Sequence, residues 1–206
     1  MCEAMRRKEV DYYDEIATEL VSQFRSNLDG DEQKYSVLTL IGEISSGLRT
    51  LIANGYDAGE ALKEYSVQSH RLYLDVSVLI ENKETGKFEV VIFEVKKVKS
   101  LGLGELSQLI GYCLVSKAKH GILVNVDKSV SSEFSTIVEG DKDLTDITRL
   151  IDGEHIRHQL GVMVWNSQTL KMEYTNSGSI KTIPQLIEKI EKELSQNQLG
   201  NNHYHL

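Results

Sequence analysis

Two apolar, β-branched runs flanking a short polar segment constrain this chain more than any other feature. Residues 72–80 read LYLDVSVLI and residues 88–95 read FEVVIFEV, with ENKETGK between them. Two such runs bounded by a polar, glycine-containing turn form a β-hairpin. Asp75, Glu94 and Lys96 are set into it. Two registers are open. With Thr85-Gly86 as the turn pair Asp75 falls opposite Lys96, and with Glu84-Thr85 it falls opposite Glu94. In both, the three charges cluster, because directly opposed Cβ atoms lie about 4.5–5.5 Å apart.

Glu94 and Lys96 are two residues apart and so project from one strand face. Charges in such apolar strands are costly to bury unless they are paired or bound to a metal. A hard divalent cation takes carboxylate and backbone carbonyl oxygens, which Asp75, Glu94 and the Val95 carbonyl can supply. The competing reading is a buried salt bridge in which Lys96 merely neutralises a carboxylate.

The flanking segments add context. Residues 36–53 (SVLTLIGEISSGLRTLIA) place Leu40, Ile44, Leu48 and Leu51 at helical spacing and predict a helix. Glu43 is either an acid within that apolar stripe or a surface residue one step off it. Residues 103–118 predict a second helix, with Gln108 and Tyr112 at an i, i+4 spacing that shares a face. Residues 120–126 (HGILVNV) follow directly and read as the parallel strand that closes a β-α-β crossover.

An Asp, a hairpin, Glu-x-Lys, a helix and an apolar strand, over about residues 37–126, resemble the PD-(D/E)xK nuclease superfamily. Gln-x-x-x-Tyr at 108–112 is similar to the RecB-like branch, and small nucleases of archaeal viruses have comparable size. The resemblance implies an α/β restriction-endonuclease-like fold: a central mixed sheet with helices on both faces. It implies Mg²⁺-dependent hydrolysis of DNA phosphodiester bonds, with Mn²⁺ able to substitute. Asp75, Glu94 and the Val95 carbonyl would hold the ion, with Glu43 acting directly or through water. Lys96 would position the attacking water, completing a catalytic set of Asp75, Glu94 and Lys96. Gln108, Tyr112, Lys97 and Lys99 would contact the DNA. Leu74 stands where the motif's proline would be. His70, five residues before Asp75, either echoes an extra histidine of some RecB-like enzymes or is a surface residue. With only Cys2 and Cys113, the four-cysteine iron–sulfur cluster of some relatives cannot form. The alternative on the same fold is a catalytically inactive DNA- or protein-binding module. A different chemistry has no support: the chain carries no Gly-rich phosphate loop, nucleophile elbow or zinc spacing.

Charge opposes the nuclease reading, since the net value is −8 and phosphate binding favours a basic surface. Two features soften this. A divalent ion would offset the carboxylates where a phosphate sits, and Lys96, Lys97 and Lys99 form a basic run beside the motif. Lys117, Lys119 and His120 are expected to extend that patch from the end of the following helix. No apolar run approaches the ~20 residues of a membrane span, and the N-terminus MCEAMRRK lacks a signal peptide's apolar region. These features predict a cytoplasmic protein with no membrane partner, acting alone or as a homodimer. Cys113 is expected to be a core thiol.

Residues 1–194 read as one domain, and the Asn/Gln-rich tail 195–206 as disordered. Residues 11–27 predict an amphipathic helix on Ile16, Leu20 and Phe24, and residues 58–65 a short helical piece. The polar stretch 127–159 is expected to hold a short helix near 144–151 and to move over the cleft. Residues 161–165 and 170–174 predict a second hairpin, and residues 183–194 a final helix with Pro184 in its first turn. Trp165 and Tyr174 are either core and edge residues or a stacking platform for bases. His203 and His205 in the tail are expected to be incidental.

Overall fold

The computed structural model describes residues 7–28, 34–68, 71–151 and 153–195. His70, Cys2, His203, His205 and the rest of the tail from residue 196 on lie outside them, and Ser195 belongs to the last helix. A short 3-10 turn, Glu9–Tyr12, leads into helix α1 (Tyr13–Asn27). Then come β1 (Tyr35–Glu43), α2 (Ile44–Ala53), α3 (Glu60–Gln68), β2 (Tyr73–Asn82), β3 (Phe88–Lys96), α4 (Leu103–Ser116) and β4 (His120–Val126). The chain continues through α5 (Ser132–Gly140), β5 (Asp146–Ile151), β6 (Glu154–Asn166), β7 (Lys171–Gly178) and α6 (Ile183–Ser195).

The seven strands form one mixed sheet in the order β1-β2-β3-β4-β6-β5, with β7 also paired to β6. Strands β1, β2 and β3 are antiparallel, whereas β3–β4 and β4–β6 are parallel. Strand alternation gives the sheet two apolar faces. Val91, Phe93 and Val95 of β3 join Ile122 and Val124 of β4 beneath α1 and α6. Val90 and Ile92 join Leu123 beneath α2, α4 and α5 on the other face. This is the expected α/β architecture with helices on both faces. The crossover β3-α4-β4 is present as expected, and Gly121 makes it tight. A Cβ there would sit 2.7 Å from Cys113 Sγ and 3.0 Å from Leu109 Cδ1.

Three expectations fail. Residues 36–53 are not one helix, because residues 35–43 form strand β1 and only 44–53 are helical. The β-branched run Val37-Leu-Thr-Leu-Ile pairs with β2, from Tyr35↔Asn82 to Glu43↔Tyr73. The register shifts between Leu40 and Gly42, where Gly42 adopts φ +86°, a conformation that suits glycine. Residues 146–151 are likewise not a helix but strand β5, paired along β6 from Asp146↔Gln159 to Ile151↔Glu154. The segment expected to move over a cleft thus supplies an edge strand, preceded by helix α5. Glu81, read from sequence as part of the turn, belongs to β2. It is 1% exposed and accepts hydrogen bonds from Tyr56 Oη (2.6 Å), Gly59 N (2.5 Å) and Lys83 Nζ (2.7 Å). The turn itself is the four residues between Asn82 and Lys87.

Candidate functional site

The observed pairing Val76↔Phe93 selects one of the two registers: continued by one residue, it brings Asp75 beside Glu94. Regular pairing ends there, and the Asp75 carboxylate takes over the edge of β3, its Oδ2 accepting from Val95 N at 2.8 Å. Its Oδ1 accepts from Tyr13 Oη of α1 at 2.5 Å. Asp75 is thus tied at once to the sheet and to the first helix.

Glu94 lies on the sheet face shared with Ile92 and Leu123 and is 1% exposed. Its Oε1 accepts from Lys96 Nζ at 2.5 Å, and its Oε2 is buried with no hydrogen-bond partner among the described residues. Burial pushes the Glu94 carboxyl up to about 7; the hydrogen bond from Lys96 opposes that rise, and the Asp75 charge adds to it. Burial by itself would lower the pKa of Lys96, but the Glu94 contact outweighs it and holds the ammonium above its ordinary value.

Sequence reasoning missed three residues of this site. Glu9 sits at the entry to α1, its Oε2 accepting from Lys97 N at 2.9 Å and its Oε1 lying 3.3 Å from Tyr13 Oη. Tyr13 has one proton, which the shorter contact assigns to Asp75. Its pKa is raised by burial and by Asp75. Asn125 of β4 stands in register with Lys96. It is fully buried, its Oδ1 accepts from Val98 N at 3.3 Å, and its Nδ2 has no partner among the described residues. Local sequence held no sign of Glu9 or Tyr13, which arrive from more than sixty positions away. Asn125 did carry a signal, as the one polar side chain within the apolar run ILVNV.

The other expected residues divide. Glu43 is the last residue of β1, not a helical acid. It pairs in register with Tyr73 and accepts from Ser45 Oγ at 2.8 Å. Among the described residues no three His, Cys, Asp or Glu side chains are gathered as a metal-holding group, which applies to Glu43 and to Glu9 alike. Gln108 and Tyr112 do share a face of α4, on the Glu94 side of the sheet, and Gln108 Nε2 donates to Tyr112 Oη at 2.9 Å. Neither hydrogen-bonds to the charged triplet. Lys97 turns its ammonium to Tyr12 Oη (2.7 Å) and the Arg7 carbonyl (2.6 Å), while Lys99 is exposed.

Lys119 and His120 do not extend the basic patch, because His120 opens β4 at the end opposite Asn125. Lys119 pairs there with Glu89 and with Glu193 (3.0 Å), and His120 is buried 3.6 Å from Glu193. Trp165 is fully buried and cannot stack on a base; Tyr174 is 46% exposed at the second hairpin. Cys113 is a core thiol, pushed by burial up to about 12.

The donor set fits a hard cation in one respect above others. A buried carboxylate oxygen without a partner is expensive, and Glu94 Oε2 is such an atom among the described residues, on a side chain in register beside Asp75. Fold and site together define an α/β protein with a carboxylate–lysine cluster where hairpin β2–β3 meets the first helix. Comparison with protein-family models, with curated proteins and with solved structures returns no match. No helix among the described residues is long and apolar enough to cross a membrane.

Proposed function

We propose that the chain is a metal-dependent deoxyribonuclease of the PD-(D/E)xK type, built on a restriction-endonuclease-like fold. The observation that carries this reading is the meeting of Asp75 with Glu94, whose Oε2 is buried and unpartnered, with Lys96 two residues along the same strand face. Folding alone gives no reason to bury a carboxylate whose pKa is thereby raised. Asp75, Glu94 and the Val95 carbonyl are the residues that would hold Mg²⁺ or Mn²⁺, with no third carboxylate gathered beside them among the described residues. The ion would polarise a phosphoryl oxygen and lower the pKa of a bound water.

The chain's own side chains then have separable tasks. Tyr13 and the Val95 amide fix the Asp75 carboxylate in one orientation, so that little reorganisation is needed. Lys96 holds the attacking water and offsets charge that develops on phosphorus. Gln108 and Tyr112, bonded to each other in the free protein, exchange that bond for contacts to the DNA strand.

One observation favours the second reading, a binding module without catalysis: Lys96 already closes on Glu94, so the pair can be a self-contained salt bridge. The experiment that separates them is incubation of the pure protein with labelled linear, circular, single-stranded and branched DNA in Mg²⁺, Mn²⁺ or EDTA. Asp75→Ala and Glu94→Ala serve as controls. Cleavage that requires metal and both carboxylates supports the nuclease. Cleavage that survives either substitution refutes the site, and binding without cleavage establishes the module.

A further inference from the structure

Beside the carboxylate–lysine cluster lies a cleft of about 830 Å³, bounded by the residues before α1, the residues after β3 and the residues after β4. Its wall carries Arg7, Lys8, Lys97, Lys99 and Lys128 against two acids, Glu9 and Asp127. Five cations around one opening are unexpected in a chain of net charge −8.

The two signs also differ in how they are satisfied. Asp127 accepts from Ser167 N at 2.8 Å and from Ser167 Oγ at 2.7 Å, and Glu9 accepts from Lys97 N. Two cations are likewise engaged: Arg7 pairs with Glu15 at 2.9 Å, and Lys97 donates to Tyr12 and to the Arg7 carbonyl. The ammonium groups of Lys8, Lys99 and Lys128 have no hydrogen-bond or ion-pair partner among the described residues. They come from three separate segments and converge on one opening.

We infer that this cleft is the track for a nucleic-acid phosphodiester backbone, with Lys8, Lys99 and Lys128 as its direct phosphate contacts. The inference rests on the nuclease reading above and deepens it by fixing where the strand runs. The strand passes across the carboxyl ends of β3 and β4, between the N-terminal segment and Lys128. Position decides for nucleic acid over an acidic protein surface. Glu9 lines the cleft and also touches Tyr13 of the Asp75 cluster, so a backbone lying in the cleft continues directly to the carboxylates. Of the two lysines that sequence places on DNA, Lys99 keeps that role. The Lys97 ammonium is committed inside the protein and contributes only its field.

The test measures equilibrium binding of labelled duplex and single-stranded oligonucleotides in EDTA across a KCl series, for the wild type and for Lys8→Gln/Lys99→Gln/Lys128→Gln. A second triple variant, Lys142→Gln/Lys181→Gln/Lys192→Gln, changes net charge equally away from the cleft. Each lost phosphate contact lowers the salt slope by about 0.9 on duplex and about 0.7 on single strands. Between 50 and 200 mM KCl the wild type should therefore lose about 40-fold more affinity than the cleft variant on duplex, or about 20-fold more on a single strand. The arm that shows the loss identifies the form of nucleic acid. Melting temperature should not move, since none of the three lysines has a partner to lose among the described residues. An unchanged slope in the cleft variant overturns the track while leaving the nuclease reading intact. An equal effect from the second triple variant also overturns it, because bulk charge then explains the result. A wild type that binds neither oligonucleotide and cleaves no DNA overturns both.

Discussion

Replacing Glu94 with glutamine keeps the shape of the side chain and removes its titration, which makes it the sharpest probe of the site. Burial raises the Glu94 carboxyl from an ordinary 4.5 to about 7 even with Lys96 attached. At about 1.4 kcal/mol for each tenfold change in proton affinity, that rise corresponds to roughly 3 kcal/mol. The folded protein binds this proton more tightly than the unfolded chain does. The stabilisation is therefore fully present below pH 4.5, is lost as pH rises to about 7, and stays lost above it. Glu94→Gln also deprives Lys96 of its partner. Lys96 stays charged throughout this range, so that cost is a constant offset. Urea unfolding of wild type and variant at half-unit steps from pH 5 to pH 8 isolates Glu94 in the difference between them. The variant should gain about 2–3 kcal/mol on the wild type across that range, with nearly all the change below pH 7. A difference that stays flat would refute the argument, because it would mean the carboxylate has water or a counter-charge at its second oxygen.

Three further outcomes follow. Lys96→Met should slow metal-dependent cleavage by roughly 10²–10⁴-fold while calorimetry shows Mn²⁺ binding retained; a loss of about 3–5 kcal/mol in stability with no wild-type cleavage to lose would establish a purely structural salt bridge. Tyr13→Phe removes a charge-assisted hydrogen bond to Asp75 and should cost about 1.5–3 kcal/mol, read as a melting temperature lower by roughly 4–10 °C; an unmoved melting temperature would show that the contact contributes nothing. Gln108→Ala and Tyr112→Phe should weaken DNA binding and slow cleavage with Mn²⁺ affinity and stability near wild type, whereas normal cleavage by Tyr112→Phe alongside an unfolded Tyr112→Ala would make Tyr112 a core residue.

The legible part of the sequence was its local part. The hairpin, helix α4 and β4 are each specified by short-range pattern, and the meeting of Asp75 with Glu94 follows from a register that only two turn positions contested. Residues 36–53 misled because Leu40, Ile44, Leu48 and Leu51 keep helical spacing across a strand-to-helix junction. Leu40 lies in β1 and Ile44 opens α2, and the Gly42 bulge between them lets both pack against the same face. Strand β5 was hidden for a different reason. It is an edge element whose polar residues Asp146, Thr148 and Arg149 carry little apolar rhythm, and its identity comes from β6 rather than from itself. Glu9 and Tyr13 could not be found by spacing at all. Their place depends on how α1 docks on the sheet, and that depends on tertiary packing of Ile16, Leu20 and Phe24.

The bond from Tyr13 to Asp75 makes the docking of α1 and the occupancy of the site parts of one equilibrium. Reciprocity is a thermodynamic requirement: whatever free energy a ligand gains or loses at Asp75 because Tyr13 is present, α1 gains or loses in its attachment to the sheet. A ligand that takes over Oδ1 releases the tyrosine and loosens the start of the helix. One that accepts the tyrosine as a neighbour tightens it. Either way, the amide protons at the start of α1 exchange with solvent at a rate that reports the state of a carboxylate sixty-two residues further along the chain.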